Sequence, residues 1–159
     1  MKAWRIEKQK RLGAAVTTGE GARITGGRWN SVGRPVVYAS EHLSLAVLEI
    51  LVHSPMPEQR QVARACAEIS VPDGSIEAMP RRLLRPDFGN QSPLALTQAI
   101  GDEWLESRRS VGLLVPSAIV TIESNLLLNP LHPAFNKCVW GPFAPILLDP
   151  RLWAVPAEP

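Results

Sequence analysis

Three side chains able to act together fall within one short stretch, residues 26–53, GGRWNSVGRPVVYASEHLSLAVLEILVH. Arg28 offers a planar, two-pronged cation suited to phosphate. Tyr38 offers an aromatic face and a hydroxyl. Glu49 offers a negative charge that can face a developing cation or act as a base. It is the only ionisable residue between His42 and His53, in a segment apolar on nearly every side: Leu43, Leu45, Ala46, Val47, Leu48, Ile50, Leu51 and Val52. That pattern predicts a buried helix, and burying an unpaired carboxylate is costly. Glu49 therefore either serves a site or holds a structural partner, and a buried Arg28–Glu49 ion pair is the plain alternative. A further option couples Glu49 to a histidine in another kind of hydrolase. His53, four residues on, shares its helix face and suits that better than His42.

A phosphate grip, an aromatic plate and one carboxylate suit cleavage at an anomeric carbon with a good leaving group. NAD is such a substrate, because its nicotinamide is already cationic and leaves without a general acid. Gly19, Gly21, Gly26 and Gly27 make the preceding region a loop that can approach a ligand closely. Their spacing is neither GxGxxG nor a P-loop, which excludes both phosphate fingerprints. A second polar set is Ser117, Glu123, Ser124, Asn125 and Asn129. Ser117 follows a proline between two apolar runs and reads as a hydrogen-bond donor; no GxSxG elbow marks a nucleophile. Asn125 and Asn129 also suit turns, and His132 suits a surface loop. Arg5, in KAWRI, is either solvated or part of a binding site.

These residues must be placed by short elements. KAWRI, residues 2–6, reads as a strand with Trp4 and Ile6 on one face and Arg5 on the other. Residues 11–25 lack periodicity and read as loop. A strand follows around 36–39, then a helix from about Glu41 to His53, with Ser40 as its N-cap and Pro55 and Pro57 as its stop. Residues 61–71 alternate as a half-buried strand. Ile76–Leu84 holds a short extended piece, and 86–92 is loop. Residues 93–109 predict a helix with Pro93 in its first turn. Its core stripe is Leu94, Ala95, Thr97, Ile100, Trp104 and Leu105; Asp102, Glu103, Glu106, Arg108 and Arg109 form a solvated face. Two buried strands, or one strand interrupted by a bulge, are expected at 113–115 and 118–122, one helical turn or a loop at 131–137, and a last strand at 145–148. The sum is an α+β domain of six to eight short mixed or antiparallel strands and two real helices. It spans 1–153, with a loose tail at 154–159.

Composition narrows the setting. A chain of 159 residues with 45% hydrophobic and 20% charged residues suits one soluble domain. A net charge of +2 gives no reason to expect nucleic acid or an anionic membrane. No apolar run is long enough to span a bilayer and no apolar leader opens the chain, so a cytoplasmic protein is expected. Two separated cysteines, Cys66 and Cys138, read as free thiols, and three histidines leave little for a metal site.

The stretch at 26–53 resembles the signature of the RES-domain family, named for Arg, Glu and Ser. It combines GGRWN, a tyrosine ten residues after the arginine, and a Glu inside an apolar helix. Trp4-Arg5-Ile6 and LLVPSAIVTIESNLLLNPLHPAF resemble that family's start and second half, so the likeness covers residues 3–150. It implies a fold similar to ADP-ribosyltransferase toxins such as diphtheria toxin. It also implies a toxin of a bacterial type II toxin–antitoxin pair, its partner an Xre-like antitoxin with a helix-turn-helix, and a homodimer as one arrangement within the complex. Such proteins consume NAD by hydrolysis or phosphorolysis, or ADP-ribosylate a protein. NAD is then a substrate, and no cofactor is expected. Carried over by residue, the implied catalytic set is Glu49, Arg28 and Tyr38, with Arg5, Ser117 and Asn125 binding substrate. Arg28 and Arg5 would hold phosphate, Tyr38 would stack on nicotinamide or ribose, and Glu49 would face the oxocarbenium-like centre. Ser117 and Asn125, the latter after the second strand, would orient ribose or carboxamide. No ExE pattern stands near a later strand, which leans toward NAD breakdown over arginine-directed transfer. A domain that only binds nucleotide or antitoxin is the alternative of another class.

Overall fold

The computed structural model describes residues 1–13, 15–54, 56–84 and 94–152. In chain order the strands are β1 (Lys2–Lys8), β2 (Val37–Ser40), β3 (Arg64–Ser70), β4 (Ile76–Ala78), β5 (Gly112–Pro116), β6 (Ser124–Leu128), β7 (Val139–Trp140) and β8 (Ala144–Ile146). The α-helices are α1 (Ala15–Thr18), α2 (Glu20–Thr25), α3 (Leu43–Val52), α4 (Pro57–Arg60) and α5 (Leu94–Ser107). All strands join one sheet in the order β4-β5-β6-β2-β1-β3-β7, with β8 beside β7 along the same edge of β3. Among the described strands only β4–β5 pairs in parallel. This is the expected α+β architecture.

Alternation along the strands builds a core on each face of the sheet. Val37, Ala39, Leu126 and Leu128 join Ala3, Ile69 and Val111 on one side. Leu127, Leu113 and Val115 join Trp29, Val36 and Trp104 on the other. The run Leu126–Leu128 is continuous because β6 is a central strand buried on both faces.

Several expectations change. The loop at 11–25 contains α1 and α2, too short to carry a readable period. Ser40 ends β2 instead of capping α3, because its hydroxyl donates to Asn125 Oδ1 at 2.7 Å. Helix α3 lies against β1 and β2 and is apolar all round without being buried all round. Leu45 and Ala46 are buried, but Leu48 and Val52 are 39% and 58% exposed. Residues 118–122 form bends and a turn, not a strand: the Ser117 hydroxyl accepts the N–H groups of Ile119 and Val120 and curls the chain. Asn125 lies inside β6, paired with Ser40, and not after a strand. In α5 the buried stripe is Thr97, Gly101, Trp104 and Leu105, while Leu94 and Ala95 are exposed. Arg64, a charged residue in the alternating strand β3, is buried against Ser54 and the Gln59 carbonyl. The expectations for Pro55, residues 86–92, Pro93 and the tail 154–159 lie outside the described residues. Cys66 and Cys138 are free thiols, as expected, and no helix among the described residues is long and apolar enough to cross a membrane.

Candidate active site

A cavity of about 340 Å³ lies where β1, β2, β6 and α3 meet the GGRWN turn. That volume is within the usual range for small-molecule sites, about 300–1,000 Å³. Arg5, Arg28, Tyr38, Glu49 and Asn125 all line it, so five of the six expected site residues converge. Trp4 and Ile6 contribute as well as Arg5, so the cavity draws on three successive residues of β1 and not on one face of it.

Glu49 is the hub of one wall. Its Oε1 accepts the Asn125 Nδ2 amide at 2.6 Å and the Ser117 hydroxyl at 2.9 Å. Asn125 is in turn held by Ser40, which also lines the cavity. The relay Ser40–Asn125–Glu49–Ser117 therefore ties one carboxylate oxygen to the fold and leaves Oε2 for the cavity, where His53 Nε2 stands at 3.7 Å. The side chain of Glu49 is 22% exposed. The alternative of a buried Arg28–Glu49 ion pair is not what this carboxylate does: its partners are Ser117, Asn125 and His53.

Arg28 sits on a tight turn closed by the Gly27 N–H donating to the Asn30 carbonyl. The fully buried Asn30 donates to the carbonyls of Ala22 and Arg34 at 2.9 Å and of Ser31 at 3.2 Å. The Tyr38 hydroxyl donates to Asn30 Oδ1 at 2.8 Å and accepts the Trp29 N–H at 3.0 Å. Gly27 is required there, because a Cβ would come within 2.6 Å of that hydroxyl. The hydroxyl is thus committed to the turn, and Tyr38 offers the cavity its ring. Burial holds the phenol protonated well above its ordinary range, opposed in part by the Trp29 N–H.

Arg5 lies under the same cavity. It donates to the Tyr38 carbonyl at 2.8 Å and pairs with Glu7 at 2.9 Å, while its buried Nε has no partner. Burial lowers the pKa of this guanidinium, with Glu7 acting the other way.

Ser117 is the expected site residue that the cavity does not reach. It is fully buried behind Glu49, so its contact is with the carboxylate and the turn at 119–120. His42 stands 3.6 Å from Glu123, and His132 Nδ1 accepts the Ala134 N–H. Asn129 is buried and bonds the Leu105 carbonyl. Ser40 was missed. It falls two residues after Tyr38 on the same strand face, a spacing that could have marked it. Among the described residues no group of three or more His, Cys, Asp or Glu gathers as a metal would require.

The sequence matches the family described as "RES domain" over residues 2–149. It is 39% identical over 136 residues to "Toxin Res" of Photorhabdus laumondii, covering 86% of each chain. It is 38% identical over 156 residues to "Prs ADP-ribosylating toxin" of a Sphingobium species, covering 94% of each. In fold it is similar to a chain of the M. tuberculosis MbcT–MbcA toxin–antitoxin complex. There the TM-score is 0.74 at 20% identity, covering 95% of this chain and 85% of that one.

Proposed function

The chain belongs to the RES-domain family, and on that premise we propose that it is the toxin of a toxin–antitoxin pair and cleaves the nicotinamide–ribose bond of NAD. The observation that carries this reading is Glu49: one oxygen fixed by Ser117 and Asn125, the other left to a cavity that also holds Arg28 and Arg5. Two arginines suit a diphosphate. A carboxylate held in a partly desolvated pocket suits the positive charge that develops on ribose as the bond to nitrogen breaks. Nicotinamide leaves with the bonding electron pair, which neutralises its pyridinium. Water or phosphate then attacks the ribosyl carbon and loses a proton. Asn125 and Ser117 serve by aiming Glu49, and the Tyr38 ring forms a flat wall for nicotinamide or ribose.

A second reading differs only in the acceptor. The 38% identical relative bears the name of an ADP-ribosylating toxin, and a protein side chain can attack the same ribosyl centre. In either case the partner is a cognate antitoxin, here read as an Xre-like protein, and the setting is the cytoplasm.

The test is nicotinamide release from NAD by the purified chain, with and without phosphate, beside Glu49→Ala. Release by the wild type that falls about 100- to 1,000-fold in the variant is expected, and its phosphate dependence names the acceptor. Transfer of labelled ADP-ribose to protein without free release supports the second reading. NAD binding without either leaves a binding module and sinks the enzymatic reading.

A further inference from the structure

The turn that carries Arg28 is also gripped from outside the cavity, by one face of α5. Gln98 Nε2 donates to the carbonyls of Gly27 at 3.0 Å and Asn30 at 3.3 Å. Asp102 Oδ1 accepts the Ser31 N–H at 3.0 Å. Between them Gly101 lets the helix close on the Trp29 carbonyl, which a Cβ would meet at 1.9 Å. Positions 98, 101 and 102 share a helix face. That face therefore engages the main chain of Gly27, Trp29, Asn30 and Ser31, the residue before Arg28 and the three after it. Asp102 Oδ2 and Glu106 extend the grip by pairing with Arg34 at 3.3 Å and 2.6 Å. Glu103, Glu106, Arg108 and Arg109 are exposed, as their pattern predicts, and Asp102 is the one charge that departs from that face. The Asp102 side chain is 16% exposed and turned inward.

The geometry points to Gln98 and Asp102 as positioning residues for Arg28: they set where its guanidinium stands without touching substrate. A long arginine on a turn is only as well placed as the backbone beneath it. A displaced guanidinium loses its hold on phosphate in the ground state and the transition state alike, which weakens binding and spares the chemical step. Asn30 and Tyr38 hold this turn through its interior, and α5 closes the other side, so both clamps are needed to fix it. The inference rests on the reading of Arg28 as the grip on NAD.

Hydrogen exchange of the ligand-free protein comes first. Gln98→Ala and Asp102→Ala should each speed exchange across residues 27–34 while β6 and α3 keep their protection. With NAD, each should raise KM about tenfold and leave kcat within about twofold, the signature of a lost grip on substrate. Asp102→Asn keeps an acceptor for the Ser31 N–H and should recover most of the loss. In an Arg28→Ala background, Asp102→Ala should add no further rise in KM, because it acts through Arg28. Unchanged exchange overturns the inference, and so does a KM effect that persists undiminished without Arg28 or a fall in kcat alone. If the wild type neither binds nor cleaves NAD, the proposed function fails by itself, and exchange still decides whether α5 holds the turn.

Discussion

The two walls of the cavity are built by opposite means. Glu49 is placed by side chains: Asn125 from β6 and Ser117 from the turn after β5 donate to it, and Ser40 from β2 holds Asn125. Arg28 is placed by main chain, through a turn whose carbonyls and N–H groups are taken by Asn30, Tyr38, Gln98 and Asp102. The difference follows from what each charge has to do. A carboxylate facing a charge that exists only in the transition state must be aimed to within a fraction of an ångström, and individual donors to one of its oxygens do that. A cation gripping phosphate needs a rigid base and a long reach, and a locked turn supplies both. The acid wall should therefore break in activity before it breaks in stability, and the cation wall the other way round.

The largest expected effects test the acid wall. Removing a hydrogen bond to a charged group costs about 1.5–3 kcal/mol, and about 1.4 kcal/mol corresponds to tenfold in rate. Asn125→Ala and Ser117→Ala should each lower nicotinamide release roughly 10- to 100-fold, both less than Glu49→Ala. Equal release from Glu49→Ala and Ser117→Ala would show that the serine does more than aim the carboxylate. The cation wall should answer in melting temperature. Gly101→Ala puts a methyl group into the Trp29 carbonyl, where only backbone can give way, and overpacking of that kind costs about 1–3 kcal/mol. Gly21→Ala, inside α2 with nothing within 4 Å of its added Cβ, should instead gain about 0.5–1 kcal/mol. A Gly101→Ala protein that melts with the wild type would dissolve the contrast.

How much of this the sequence carried depends on the range of each interaction. Arg28, Tyr38 and Glu49 are legible because a turn, a strand and a helix in immediate succession can bring them to one end of a sheet. Arg5 and Asn125 come to the same cavity because β1 and β6 flank β2 on either side. Two kinds of feature were not legible. One is direction: Ser117 lies behind the carboxylate instead of facing the cavity, and the apolar run 118–122 turns because that same hydroxyl binds two N–H groups ahead of it. The other is long-range packing. Nothing near Gln98, Gly101 or Asp102 in the chain says that a loop some seventy residues earlier rests on them, so Asp102 reads as solvated along with its exposed neighbours Glu103 and Glu106. The same blindness hid the exposed side of α3, since its pattern is apolar all round and only the packed structure says which side meets the sheet.

Tyr38 stands where the two walls join, and its substitution separates ring from hydroxyl. Tyr38→Phe keeps the ring in the cavity and strips the turn of one donor and one acceptor, leaving the Trp29 N–H and Asn30 Oδ1 without that partner. The expected cost is about 1–2 kcal/mol of stability, with kcat for NAD changed by less than about threefold. High pH sharpens the result. The folded phenol keeps its proton well above its ordinary range, chiefly through burial, with Asp102 raising and Arg28 lowering it further. An unfolded chain releases that proton near pH 10. Above that point the unfolded state binds fewer protons than the native one, so Tyr38 draws stability down as pH rises, by up to about 1.4 kcal/mol per unit. Below about pH 10 it adds no slope. Subtracting the Tyr38→Phe curve from the wild-type curve isolates this term, and phenolate absorbance reads it directly because the chain has a single tyrosine. A phenol that ionises near pH 10 in the folded protein would mean that its hydroxyl reaches solvent. The turn beneath Arg28 would then rest on Asn30 and α5 without the phenol.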